Sequence, residues 1–119
     1  MSTPLKIRDL APSDVQAMLR RDDIVLIDVR EPAEYAAERI HGALNFPLST
    51  FDPRALPSGG EAVVLQCGTG KRSGMALERC REAGVPADAH LAGGITAWIN
   101  AGLPTVRFDP ATGAIVDRG

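Results

Sequence analysis

Ala62-Val63-Val64-Leu65-Gln66-Cys67-Gly68-Thr69-Gly70-Lys71-Arg72-Ser73-Gly74-Met75-Ala76-Leu77 changes character twice within one short stretch. The apolar, β-branched run from Ala62 to Leu65 reads as a buried strand. It stops abruptly at Cys67. A Gly-rich loop with two cations follows, and Ser73 to Ala83 reads as a helix stopped by Gly84 and Pro86. Strand, tight loop and helix in that order form a unit of a parallel α/β sheet. In such sheets ligands bind at the carboxyl ends of the strands. A thiol placed there, under backbone amides and beside Lys71 and Arg72, is expected to be a reactive thiolate.

The same grammar extends outward in both directions. Leu5 to Ile7 reads as a short first strand. Pro12 opens a helix through about Arg20, with Ser13 or Asp14 placed to cap it and Val15, Met18 and Leu19 as its apolar stripe. Ile24-Val25-Leu26-Ile27 has no polar alternation, as expected of a strand covered on both faces. Glu31-Pro32-Ala33-Glu34-Tyr35 starts a short helix with Pro32 in its first turn. Ala43 to Phe46 is another strand. Residues 47–61 are rich in Pro and Gly and read as an irregular connection with at most a turn of helix. Ala89 to Ala92 is a strand, and Gly93-Gly94 turns into a helix from Ile95 to Asn100, with Trp98 as its core anchor. Strands alternating with helices predict an α/β fold with a mainly parallel sheet and helices on both faces. The reading divides the chain into a domain over 1–104 and a tail over 105–119. The two β-like runs of the tail suggest a small hairpin or a flap.

Composition narrows the function classes. A chain of 119 residues fits one domain, and 45% hydrophobic residues can build one core. A net charge of -2 leaves no footprint for nucleic acid or a polybasic membrane contact. No apolar run approaches the roughly 20 residues of a membrane helix. The charged N-terminal stretch lacks a signal peptide's apolar segment, which predicts a cytoplasmic protein. Two cysteines, Cys67 and Cys80, make no disulfide framework, and with only two histidines a structural zinc site is not expected.

The loop itself carries the chemistry. Gly68 and Gly70 let backbone N–H groups turn inward, and several amides aimed at one point form an anion nest. The following helix adds the positive end of its dipole, and Lys71 and Arg72 add full charge. All of these favour thiolate over thiol at Cys67. They would equally hold an anionic sulfur attached to Cys67, or a bound oxyanion. The competing readings are an inert core cysteine and a plain phosphate-binding turn. Cysteine phosphatases use a C-x5-R loop, which would put arginine at position 73, where this chain has Ser73. Arg72 comes one residue early, and the smaller ring suits a sulfur atom better than a tetrahedral phosphate.

Three separated segments resemble the rhodanese family of sulfurtransferases in its single-domain form. Asp28-Val29-Arg30-Glu31-Pro32-Ala33-Glu34-Tyr35 with Ile40-His41-Gly42-Ala43-Leu44-Asn45-Phe46-Pro47 is similar to D-V-R-x-x-x-E-Y…I-x-G-A-x-N-x-P. Cys67 to Ser73 is similar to C-x-x-G-x-R-S. Gly93-Gly94-Ile95-Thr96-Ala97-Trp98, followed by Ala101-Gly102-Leu103-Pro104, is similar to G-G-x-x-A-W…G-x-P. The resemblance implies a rhodanese-like sheet of about five strands. It also implies a thiosulfate sulfurtransferase in which Cys67 carries a persulfide between an anionic sulfur donor and an acceptor. The acceptor is cyanide, a thiol or a sulfur-acceptor protein. Gly68, Thr69, Gly70, Lys71, Arg72 and Ser73 would bind the substrate, with no metal or organic cofactor. A non-catalytic regulatory or sulfur-carrier binding module is the alternative. Glu34 stands near where some two-domain rhodaneses place an arginine, which counts against thiosulfate if it faces the pocket. The half-loop Cys67-Gly68-Thr69-Gly70 also resembles mercaptopyruvate sulfurtransferases, but Lys71-Arg72 does not.

The remaining polar residues have plainer readings beside functional ones. Asp28 and Arg30 could orient Arg72 or the loop, or serve as a helix cap and a surface charge. Cys80 falls on the apolar helix face with Ala76 and Leu77 and reads as packing. His41 and His90 read as surface or strand-end residues, because a thiolate made by the loop needs no general base. Gly93 and Gly94 form a tight turn or let the backbone pass close to the loop.

Overall fold

The run Ile24–Ile27 lacks alternation because both of its faces are covered. The computed structural model describes residues 6–118. Its elements run β1 (Arg8–Leu10), α1 (Pro12–Arg20), β2 (Ile24–Asp28), α2 (Pro32–Ala37), β3 (Glu38–Arg39), β4 (Leu44–Asn45), β5 (Ala62–Gln66), α3 (Lys71–Glu82), β6 (Ala89–Leu91), α4 (Gly94–Asn100), β7 (Thr105–Asp109) and β8 (Ala114–Arg118). Two 3-10 turns, Leu48–Thr50 and Pro53–Ala55, interrupt the connection from β4 to β5. Five strands form a parallel sheet in the order β1-β6-β5-β2-β4. Among the described residues no helix is long and apolar enough to cross a membrane.

Alternate residues of each central strand feed two separate cores. Leu26 and Val64 point to one face, where they meet Val15 of α1 and Ile95 and Trp98 of α4. Ile27 and Leu65 point to the other, against Ala76, Leu77 and Cys80 of α3. Each such aliphatic side chain taken out of water contributes roughly 1.5–3 kcal/mol before entropy is counted. The sheet is therefore held from both sides, and its carboxyl edge is fixed in place. Asp28, Asn45, Cys67 and Ala92 all lie at or just past that edge.

Local details depart from the sequence-based expectations for physical reasons. The first strand is Arg8–Leu10; Lys6 and Ile7 precede it, and Leu5 lies outside the described residues. Its position is set by register with β6, Asp9 opposite His90. Pro12 is itself the first helical residue of α1, so Ala11 occupies the cap and neither Ser13 nor Asp14 does. In α3 the helix begins at Lys71, two residues earlier than the sequence suggests, because left-handed Gly70 (φ 108°) ends the loop immediately before it.

β3 has no sequence signature, being two charged residues directly after a helix. Its partner creates it: Glu38 pairs with Arg107 and Arg39 with Val106 in an antiparallel ladder. β7 and β8 form a hairpin that joins β3 in a second sheet of order β3-β7-β8. Thr105 and Val106 are buried at its base, whereas Phe108 and Ile115, opposite each other on the outer part, are exposed.

Candidate active site

Cys67 follows the last residue of β5 and is only 1% exposed. The loop folds back over it. The Gly70 amide donates to Sγ at 3.0 Å, and Ser73 Oγ lies 3.6 Å from Sγ. Burial pushes the Cys67 thiol up, but the Ser73 hydroxyl and the amides of Ser73, Gly70 and Thr69 outweigh it, so the thiol is held below its ordinary range. Those amides are the unpaired donors of the first turn of α3 and the loop before it, which is why the two glycines matter. Cys80 gives the contrast. It is fully buried with no such donors, and its thiol is pushed up to about 11.

The back of the loop is pinned from the other side. The amides of Ile95 and Thr96, in the first turn of α4, donate to the carbonyls of Cys67 and Gly68 at 2.9 and 3.1 Å. This approach requires glycine at position 94. A Cβ there would fall on the Cys67 carbonyl oxygen and within 2.6 Å of the Gly68 carbonyl, at a left-handed φ of 62°. Gly94 is thus the close-approach device, while Gly93, at φ 74°, makes the turn into α4.

The two cations of the loop divide. Arg72 is committed: its guanidinium donates to both carboxylate oxygens of Glu34, at 2.7 and 3.0 Å, and lies against Gly68. The Arg72 hydrogen bonds hold the Glu34 carboxyl at about 2, against the opposing effect of burial. Glu34 in turn accepts from the Glu31 amide at 3.0 Å, which fixes it at the start of α2. Glu34 therefore neutralises Arg72 and ties α2 to the loop. Lys71 is exposed and takes part in no ion pair among the described residues. Its charge is the one the loop leaves unpaired among the described residues.

Asp28 and Arg30 are neither cap nor surface charge. They form a buried pair, with Arg30 Nη2 donating to Asp28 Oδ2 at 2.8 Å. Arg30 also donates to the Glu38 carbonyl at 2.7 Å, and Asn45 Nδ2 donates to the carbonyls of Asp28 and Arg30. Asp28 acts on Arg72, and Arg30 on Glu34, through longer-range charge interaction. The pair ties the ends of β2 and β4 together through Asn45 and reaches the loop only through charge on Arg72.

His90 contradicts its sequence reading. It is buried in β6, with Nδ1 2.7 Å from Ser73 Oγ and Nε2 2.7 Å from Asp9 Oδ1. Sequence reasoning missed this because the contact depends on β1, β6 and α3 meeting, and no local motif announces it. His41 is exposed, and lines a cleft of about 600 Å³ with Trp98 and Pro104 that includes no residue of the Cys67 loop. Among the described residues no group of three His, Cys, Asp or Glu side chains could hold a metal ion.

A family model of the rhodanese-like domain matches residues 11–101. The uncharacterized protein slr1261 of Synechocystis sp. is 46% identical over 82% of this chain, which spans 55% of that protein's length. A protein named sulfurtransferase from Allochromatium vinosum is 36% identical, over 76% of this chain and 86% of its own. A crystal structure of a rhodanese-related protein from Thermoplasma volcanium superposes with a TM-score of 0.69 at 27% identity, covering 83% of this chain and 97% of that one.

Proposed function

The chain belongs to the rhodanese-like family, and from that premise we propose that it is a sulfurtransferase working through a Cys67 persulfide. The observation that carries the reading is the cradle at Cys67: a thiol held below its usual range by amides of a glycine loop at a strand end. Gly68, Thr69, Gly70 and the first turn of α3 supply the donors, and Lys71 supplies the attracting charge.

In the donor half-reaction the Cys67 thiolate attacks the outer sulfur of thiosulfate. A new S–S bond forms, the sulfane–sulfonate bond breaks, and its electron pair leaves with sulfite. Cys67 is left carrying an anionic persulfide, which the same amides stabilise without reorganising. In the acceptor half-reaction cyanide or a thiolate attacks the outer sulfur, and the Cys67 thiolate is restored. This is covalent catalysis in ping-pong order. A small or anionic donor suits a nucleophile that is almost wholly enclosed. A ring one residue shorter than that of cysteine phosphatases argues against phosphate.

Intact-protein mass spectrometry after thiosulfate exposure tests the reading. The expected result is a gain of one sulfur atom on the wild type, discharged by cyanide as thiocyanate and absent from Cys67→Ser. A wild type that gains no sulfur from thiosulfate or from a persulfide donor would overturn it in favour of a binding module.

A further inference from the structure

The sulfur-transfer steps use Cys67 and its cradle but not His90. Yet His90 is one of few polar side chains in the sheet, 7% exposed, and both of its ring nitrogens are engaged at 2.7 Å. Asp9, on the neighbouring strand and directly opposite in register, meets Nε2. A carboxylate only accepts, so Nε2 carries a hydrogen and Nδ1 of the neutral ring presents its lone pair to Ser73 Oγ. Ser73 is fully buried, and its oxygen sits between His90 Nδ1 and Cys67 Sγ, at 2.7 and 3.6 Å, with the Gly70 carbonyl a second, longer acceptor of its hydrogen at 3.1 Å. The His90 ring also backs the loop, since a Cβ at Gly70 would lie 3.8 Å from Cε1.

We propose that Asp9, His90 and Ser73 form a proton relay that takes the proton of the Cys67 thiol. This rests on the sulfurtransferase reading for its purpose, though not for its geometry. The S–H bond of Cys67 breaks, its electron pair stays on sulfur and its proton passes to Ser73 Oγ. The hydrogen already on Ser73 moves to His90 Nδ1, giving an imidazolium held by the Asp9 carboxylate. No net charge is created. The Ser73 hydroxyl now donates to the thiolate, and His90 donates to Ser73. The proton stays on His90 through both half-reactions, because neither sulfur transfer consumes it. His90 and Asp9 are thus positioning residues acting through Ser73.

Other charges around His90 do not compete for this role. From α3, Lys71 points outward and Arg72 is bound to Glu34. From β1, Arg8 is paired with Asp88. β5 contributes only the Cys67 that follows it, and α4 carries no charged residue.

The test is the pH dependence of Cys67 alkylation by iodoacetamide, read on the Cys67 peptide by mass spectrometry. The wild-type profile is expected to show two inflections, one belonging to the thiol and one to its coupled histidine. In His90→Gln the profile should collapse to one inflection, with alkylation about five- to tenfold slower at neutral pH. Asp9→Asn, at an exposed site that tolerates change, should slow it about two- to threefold. In a Ser73→Ala background, His90→Gln should have no further effect, since the histidine then acts through a missing hydroxyl. If His90→Gln and Asp9→Asn both give the wild-type profile, or if the effects of Ser73→Ala and His90→Gln simply add, the relay is wrong. Should His90→Gln fail to fold, imidazole nitrogen NMR of the wild type and Cys67→Ser decides: the His90 titration must change when the thiol is removed, and an unchanged titration overturns the proposal. The sulfur gain from thiosulfate is measured on the same samples. Its absence beside a His90-dependent profile rejects the sulfurtransferase reading alone.

Discussion

Glu34 and Arg72 show how a single pair can redefine a loop. Their separation in sequence hides the contact, and charge alone suggests two cations free to grip an anion. The structure leaves one, Lys71, because Arg72 donates both arms to Glu34. The Glu34 carboxyl is depressed from its ordinary value of 4.5 to about 2. A depressed folded-state carboxyl contributes stability that is present above the unfolded value and lost as pH falls through the folded one. The difference in unfolding free energy between the wild type and Glu34→Gln should therefore be constant at neutral pH and shrink between about 4.5 and about 2. Chemical denaturation across that window checks it. Both side chains are more than a third exposed, so the effect is modest. A difference that does not vary with pH would mean that the pair contributes nothing to stability.

At the scale of elements, α4 is the part most tightly constrained by its approach to the loop. Gly94→Ala places a Cβ on the Cys67 and Gly68 carbonyls at a left-handed φ. The expected cost is roughly 2–4 kcal/mol from strain and overlap. The displaced loop should also lose its hold on the thiolate, so alkylation of Cys67 at neutral pH should slow alongside the drop in denaturation midpoint. Unchanged alkylation would separate loop geometry from thiol reactivity. The strands were legible in the sequence because burial on both faces writes a continuous apolar run at Ile24–Ile27 and at Ala62–Leu65. The Cys67 loop was legible because all its parts are contiguous. β3 was not, since Glu38 and Arg39 become a strand only when Arg107 and Val106 arrive. His90 was not, since a buried polar ring in a short apolar strand looks the same as an exposed one until Asp9 and Ser73 are placed around it.

For the whole molecule, the five-stranded sheet and the hairpin rest on different contacts. The hairpin adds the buried Thr105 and Val106 and the ladder to β3, while the Cys67 cradle draws on β5, α3, α4 and β6. Deleting residues 105–119 should lower the thermal midpoint by about 5–15 °C, the equivalent of one to three buried contacts. It should leave the alkylation profile of Cys67 unchanged, with circular dichroism and the alkylation assay reading the two halves. Complete loss of structure would instead make the hairpin integral to the domain. The hold of Ile95 and Thr96 on the Cys67 and Gly68 carbonyls carries a last consequence, one of timing. During synthesis the thiol is made well before the helix that braces its loop. Until that helix docks, the Cys67 and Gly68 carbonyls lack the two backbone donors that brace the loop. A stalled product that ends before Ile95 would carry the nucleophile without that brace.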